Sequence, residues 1–240
     1  MTTTLTSRVA TATSVDGYDL QPVVLDLYRD IHKGLRAELF ALTTSAGSLD
    51  PSSRCDRAAL ADHVASVSAI LESHAHHEDF VIEPVLGAHL PQLAEKIAAD
   101  HDALEARFAF VNELAVDVVD ATDPRRLGHL LYLELSGFTS AYLAHQLVEE
   151  RVVMPSLEQA IGPDEVFGLH NAIISSIPPE EMASGLSMML PAMNLDDRAE
   201  LLAGMRMSAP PEAFGAVVGL ARSVLRPVDF DALATRLELA

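Results

Sequence analysis

Apolar residues recur at three- and four-residue intervals over long stretches of the chain, and convincing strand-like alternation is absent. From about Gln21 to Thr44, Val24, Leu25, Leu27, Tyr28, Ile31, Leu35, Leu39 and Phe40 fall on one helical stripe. The Ser45-to-Pro51 connection interrupts the stripe; Asp50 is the expected N-cap and Pro51 suits a first turn. A second helix is predicted over residues 52–87. The His89-Leu90-Pro91 run restarts the chain into a third helix over 92–120. Asp123-Pro124 opens a fourth, which continues to about Ala160, where Gly162-Pro163 ends it. Long helices with short connections predict an all-α fold whose main body is an up-down-up-down four-helix bundle.

The periodicity divides the chain into three parts. Residues 1–19, rich in Thr and Ser and containing Asp16-Gly17, read as a flexible arm. Residues 20–161 form the bundle. Beyond it, Pro163, Pro178-Pro179, Pro191, Pro210-Pro211 and Pro227 divide residues 162–240 into short segments. Five short helices are expected there, near 164–176, 179–190, 195–207, 211–225 and 228–238. They make a smaller extension of unknown role, able to pack on the bundle, on another copy or on a protein partner. The methionines gathered there (Met182, Met188, Met189, Met193, Met205, Met207) read as adaptable core filler.

Composition narrows the function classes. Half of the 240 residues are apolar (49%) and Trp is absent, which favours a large helical core. A net charge of −19 opposes nucleic-acid binding and adsorption to anionic membrane. Cys55 is the one cysteine, so neither a disulfide framework nor a thiolate cluster is available, and it reads as a small buried or half-buried side chain. No apolar run reaches a membrane span, and the first residues lack a signal peptide's apolar core; a cytoplasmic location is the expectation.

The chemistry lies in an internal repeat. His74 is followed by Glu78 four residues on and by Pro84 ten residues on, and His145 by Glu149 and Pro155 at the same offsets. The intervening residues agree in type: Asp79 with Glu150, Val81 with Val152, Ile82 with Val153, Leu86 with Leu157. Each copy is preceded by a helix with one placed histidine, His32-x-x-Leu35-x-Ala37 in the first and His101-x-x-Leu104-x-Ala106 in the second. Residues four apart share a helix face. Two His-x-x-x-Glu helices and a single His from each of the other two therefore bring four imidazoles and two carboxylates to one point. Such a set is costly to bury unless a cation compensates it, and imidazole with carboxylate suits iron. Two other motifs fail: no histidine has Glu three residues before it, as ferritin-like bundles need, and His77-Glu78 is not completed to His-Glu-x-x-His.

The order His32, His74-x-x-x-Glu78, His101, His145-x-x-x-Glu149, with Pro84 and Pro155, resembles the hemerythrin-like, or HHE cation-binding, family over about residues 20–160. The resemblance implies a hemerythrin-like bundle with two irons per chain, bridged by the two glutamates and an oxygen species. It also implies one of several roles: binding oxygen, sensing iron or oxygen, or handling peroxide or nitric oxide. The oxygen-carrying members have His-x-x-x-His on the third helix, where this chain has His101-x-x-x-Glu105, and His-x4-Asp on the fourth, where Glu149 and Glu150 follow His145. Two six-coordinate irons offer about 12 positions, of which this set fills about 10. Open positions suit oxidant chemistry better than reversible carriage of oxygen.

Two functional readings follow. One is an oxidoreductase acting on oxygen, peroxide or nitric oxide; the other is a sensing or binding module whose metal state changes the C-terminal helices or a partner. The expected metal residues are His32, His74, Glu78, His101, His145 and Glu149, with Glu105 and His77 as additional candidates. His77 lies about 300° round the helix from His74 and borders the site, whereas His76, at about 200°, faces solvent. Tyr28 and Tyr142 lie near the histidines but read as core packing. Asp79 and Glu150 are weaker ligand candidates, and His63, His89, His129 and His170 read as surface residues.

Overall fold

The computed structural model describes residues 21–239; the arm expected over residues 1–19 lies outside them. The described residues fold into helices with no strand: α1 (Arg29–Gly47), α2 (Arg54–Val81), α3 (Glu83–His89), α4 (Pro91–Val119), α5 (Pro124–Val148), α6 (Met154–Ile161), α7 (Pro163–Ser176), α8 (Pro179–Ala192), α9 (Leu195–Ser208), α10 (Pro211–Val224) and α11 (Pro227–Arg236). Helices α1, α2, α4 and α5 form the bundle, each packed against the one before and the one after it in chain order, with α5 closing on α1. That is the up-down-up-down arrangement.

The core of the bundle is the three-four stripe of each helix. It runs through Leu35, Leu39, Leu42 and Ala46 on α1, Leu60, Val64, Val67 and Leu71 on α2, Leu104, Phe108, Val111, Leu114 and Val118 on α4, and Leu131, Leu135, Phe138 and Tyr142 on α5. A second apolar cluster, of Tyr28, Ile82, Leu86, Ile97, Val153, Met154 and Leu157, closes the other end of the bundle.

Helix starts follow local chemistry. The first helix begins at Arg29, eight residues later than the stripe indicates, because the Asp26 carboxylate accepts the N–H groups of Tyr28 and Arg29 at 3.0 Å each. Ser53, rather than Asp50, caps α2 by accepting from the N–H of Asp56, while Asp50 turns its carboxylate to Ser52. Asp123 caps α5. Pro163, Pro179, Pro211 and Pro227 sit in the first turns of α7, α8, α10 and α11, where a missing N–H costs nothing, whereas Pro191 lies in the last turn of α8. Cys55, in the first turn of α2, is exposed, not buried as expected.

Pro84 and Pro155 each disturb a helix that the periodicity treats as continuous. Pro84 divides the second helix at Ile82, between α2 and α3. Pro155 follows a π-helical turn, Glu149–Val153, which inserts one extra residue per turn. After this bulge Val153 and Leu157 point inward while Val152 is half-exposed. Ile82 and Leu86 occupy the matching buried places in the first copy of the repeat.

The C-terminal helices enclose their own apolar core, including Leu186, Leu190, Met193, Leu202, Leu225, Phe230 and Leu233. Met188 and Met193 are buried as core filler, but Met207 is 86% exposed. Helix α8 lies along α1, and α7 lies against α2. Gly34 permits the α1–α8 approach: a Cβ there would lie 3.0 Å from Met188 Cε and 3.3 Å from the Met189 backbone.

Candidate metal centre

The stripe that builds the core also places the site. His32 continues the α1 stripe below Leu35, and His74 and Glu78 continue that of α2 beyond Leu71. His101 continues the α4 stripe below Leu104, and His145 follows Tyr142 on α5. Glu149 opens the π turn with a side chain only 1% exposed. All six side chains thus meet between the two apolar clusters, with little access to water.

They meet as two groups of like composition. His32, His74 and Glu78 form one triad and His101, His145 and Glu149 the other; the nitrogen and carboxylate oxygens of each lie within 4.8 Å of one another. Each triad comes from one helical hairpin, as the repeat implies. The carboxylates reach across both. Glu78 Oε1 lies 3.1 Å from His74 Nε2, and its Oε2 lies 3.5 Å from His101 Nε2. Glu149 Oε1 lies 3.0 Å from His145 Nε2 and 3.7 Å from His101 Nε2, and its Oε2 lies 3.4 Å from His32 Nε2.

Asp79 and Glu150 join neither triad. The His32 ring gives its Nδ1–H to Glu150 Oε1 at 3.0 Å, and the His101 ring gives its Nδ1–H to Asp79 Oδ1 at 2.7 Å. The exchange is crossed, because the acid of each repeat holds the single histidine of the other. Arg36 steadies Glu150 at 2.7 Å. A carboxylate can only accept, so each ring keeps a proton on Nδ1, and in its neutral form it turns the Nε2 lone pair inward. The acidic residue after each ligand glutamate carried this signal in the sequence, read there as a candidate ligand.

The electrostatics are those of a cation site. His32 Nε2, both oxygens of Glu78 and Oε2 of Glu149 are buried without a hydrogen-bond partner, so lone pairs face lone pairs. Burial, and then the charge of Glu149, push the Glu78 carboxyl well up. Burial also opposes charge on Glu149, but the adjoining His101 and His145 rings outweigh it and hold that carboxyl below its ordinary range. Burial, with the His32 ring next, pushes the His74 imidazole down to about 3, so it stays neutral and able to ligate. A cation placed among these atoms would satisfy all four of these acceptors at once.

The two tyrosines close the site from opposite ends, Tyr142 in the bundle core and Tyr28 in the cluster beyond. Burial and then the charges of Glu78 and Glu149 raise both phenols, which therefore remain protonated. Tyr28 lines a pocket with room for one water-sized molecule, about 10 Å³, together with Glu78, Asp79, Glu83, Ile97, His101 and Glu149.

Glu105 does not face this centre. It follows Leu104 on α4, roughly 100° off the stripe, and is exposed. His77 turns away as well: its two ring nitrogens meet Ser176 Oγ and Glu181 Oε1, each at 2.9 Å. His76 is exposed, and His63, His89, His129 and His170 lie outside both triads. Glu105→Ala and His170→Ala proteins are therefore expected to keep the parent's metal content, measured by elemental analysis; a loss in either would mean that a metal-binding position lies elsewhere.

The family model described as the Hemerythrin HHE cation binding domain matches residues 23–163, and the chain belongs to that family. No curated protein and no solved structure is detectably similar to it. The match covers the bundle and both triads and ends where α7 begins. No helix among the described residues is long and apolar enough to cross a membrane.

Proposed function

We propose that the chain holds a pair of iron ions, one in each triad, and uses them to react with peroxide, oxygen or nitric oxide. The observation that carries this reading is that Glu78 and Glu149 each place oxygens against histidines of both triads, as carboxylates bridging neighbouring ions would. Four imidazoles with carboxylates favour iron over magnesium or calcium, which prefer oxygen alone. Bound there, an iron pair would supply the electron exchange that reduction of an oxidant requires.

The chain's own residues contribute the rest. Asp79 and Glu150 orient His101 and His32, Ile82, Leu86 and Ile97 exclude water, and Tyr28, a proton-bearing residue, lines the small pocket. Protein purified from iron-replete cells should carry about two irons per chain, checked by elemental analysis with a near-ultraviolet ferric spectrum. Zinc or manganese alone would exclude this chemistry. Peroxide consumption above that of a Glu78→Gln protein would establish turnover.

A sensing role is the second reading, in which the metal state acts on the C-terminal helices. Its support is that these helices bond directly to residues flanking the ligands on α1 and α2.

A further inference from the structure

The C-terminal helices do not touch the two hairpins alike. On α1, Arg29 and Lys33 flank His32. Lys33 pairs with Asp197 in the first turn of α9, and Arg29 approaches Asp197 at 3.7 Å and Glu200 at 3.0 Å. Asp197 is buried and fixed by Asn194, whose side-chain amide donates at 2.6 Å. Two residues beyond His32, Gly34 seats the α8 backbone at van der Waals distance.

On α2, Ser73 and His77 flank His74, and His77 immediately precedes Glu78. Glu181, in the first turn of α8, accepts hydrogen bonds from Ser73 Oγ and His77 Nε2. Ser176, at the end of α7, holds the other nitrogen of His77 at 2.9 Å. His77 thus cannot swing inward to ligate, and its ring is a strut between the α7–α8 turn and the ligand-bearing stretch of α2. These bonds fall on α1 and α2, which carry His32, His74 and Glu78. The α4–α5 hairpin, which carries His101, His145 and Glu149, receives none of them.

We infer that the C-terminal helices are a positioning element for the first triad, acting through His77 and Lys33, and that they make the two metal positions unequal. The inference rests on the two-metal reading above. By composition the triads are equivalent, with two imidazoles and one carboxylate each. By support they are not, because polar contacts pin the flanks of the first to a separately cored set of helices, whereas the described contacts of α4 and α5 with the C-terminal helices are the apolar ones of α7. Pre-organised ligands lose less freedom on binding, so the first triad fills first. Glu181 and Ser176 are positioning residues, since neither reaches the triad itself.

The test is a titration of the full metal-free chain with cobalt(II), a paramagnetic probe. Binding is followed by visible absorption, and the order of filling by the shifted imidazole proton resonances assigned to His74 and His101. In the parent protein the His74 resonance should shift with the first equivalent and the His101 resonance with the second. In Glu181→Ala the first triad should weaken by about 10–100-fold, the range seen when a supporting partner is removed, and the order should reverse. Glu181→Gln, which can still accept from Ser73 and His77, should restore the parent order.

Glu181 is partly exposed, so its replacement leaves the apolar core intact, and a thermal melt of each metal-free variant verifies this. Filling of His101 first in the parent would overturn the inference. So would an unchanged order in Glu181→Ala, or equal weakening of both steps. Failure of the parent to bind a second cobalt would instead overturn the two-metal reading on which the inference stands.

Discussion

Exchanging Glu78 for Gln should abolish retention of a metal pair while raising the melting temperature of the metal-free protein. Glu78 is buried with both oxygens unpartnered, and burial and the neighbouring Glu149 charge push its carboxyl up. A carboxyl whose folded pKa is raised contributes stability below its unfolded value, near 4.5, and loses it as pH rises. At neutral pH Glu78 is therefore a burden on the metal-free fold, and the isosteric amide removes it. Relief of one buried, repelled carboxyl is worth on the order of 1–3 kcal/mol. For a chain of this size that is a rise of roughly 2–10 °C.

Glu149→Gln should show the opposite sign. The adjoining His101 and His145 rings hold that carboxyl below its ordinary range, so its ionised form stabilises the metal-free fold above pH ~4.5, and the amide discards this. Both variants should lose the metal pair, because each carboxylate spans the two triads. Calorimetric melts in chelator, with elemental analysis of the same samples, check both signs. A Glu78→Gln protein that melted lower without metal would show that Glu78 is satisfied in the metal-free state.

The inward cluster of histidines and glutamates was legible in the sequence because it obeys the same geometry as the core. His32, His74, Glu78, His101 and His145 fall where the three-four stripe demands an inward residue, and polar groups there need an explanation that a cation provides. The crossed support was harder to see. Asp79 and Glu150 announce themselves by adjacency to the glutamates, but adjacency cannot say that each serves a histidine of the other repeat. Only the antiparallel packing of α2 on α4 and of α5 on α1 brings those pairs together. Glu105 misled because a four-residue spacing from His101 matters only if both residues lie on the inward face, and Leu104 already occupies it.

Backbone chemistry accounts for the remaining differences. Asp26 ends the N-terminal approach to α1 by accepting the N–H groups of Tyr28 and Arg29, although apolar Val24 and Leu25 extend the periodic pattern further back. The paired prolines marked the repeat, yet their effects diverge into a break at Ile82 and a π turn at Glu149, since the wider turn needs an inserted residue and not a new helix start. The docking of α8 could not be read locally, because the reason for Gly34, a helix-interior glycine, lies in a distant segment.

The metal-free protein should melt well below the metal-loaded one at neutral pH, and the difference should vanish as pH falls. Without a cation, four buried lone-pair acceptors oppose one another between two apolar clusters. Metal bound only by the folded state adds about 2.7 kcal/mol at a free concentration 100 times its dissociation constant. That corresponds to a separation on the order of 10 °C for a chain of this length. Binding requires neutral imidazoles, and unfolded histidine titrates near 6.5, so the metal-dependent part should fade below that pH.

His74 gives the same sign for the metal-free fold. Its folded pKa is depressed to about 3 by burial and the His32 ring, so its contribution is complete above ~6.5 and is lost as pH falls from there towards 3. The apolar stripes lie outside the site, and the C-terminal helices keep their own core, so a loosened bundle should remain near pH 5. Thermal melts with and without chelator at pH 7.5 and pH 5, with circular dichroism of the product, check each step. Equal melting temperatures at pH 7.5 would mean that these six residues contribute no metal-linked stability, and a fully unfolded chain at pH 5 would mean that the bundle depends on its metal far more than its apolar stripes indicate.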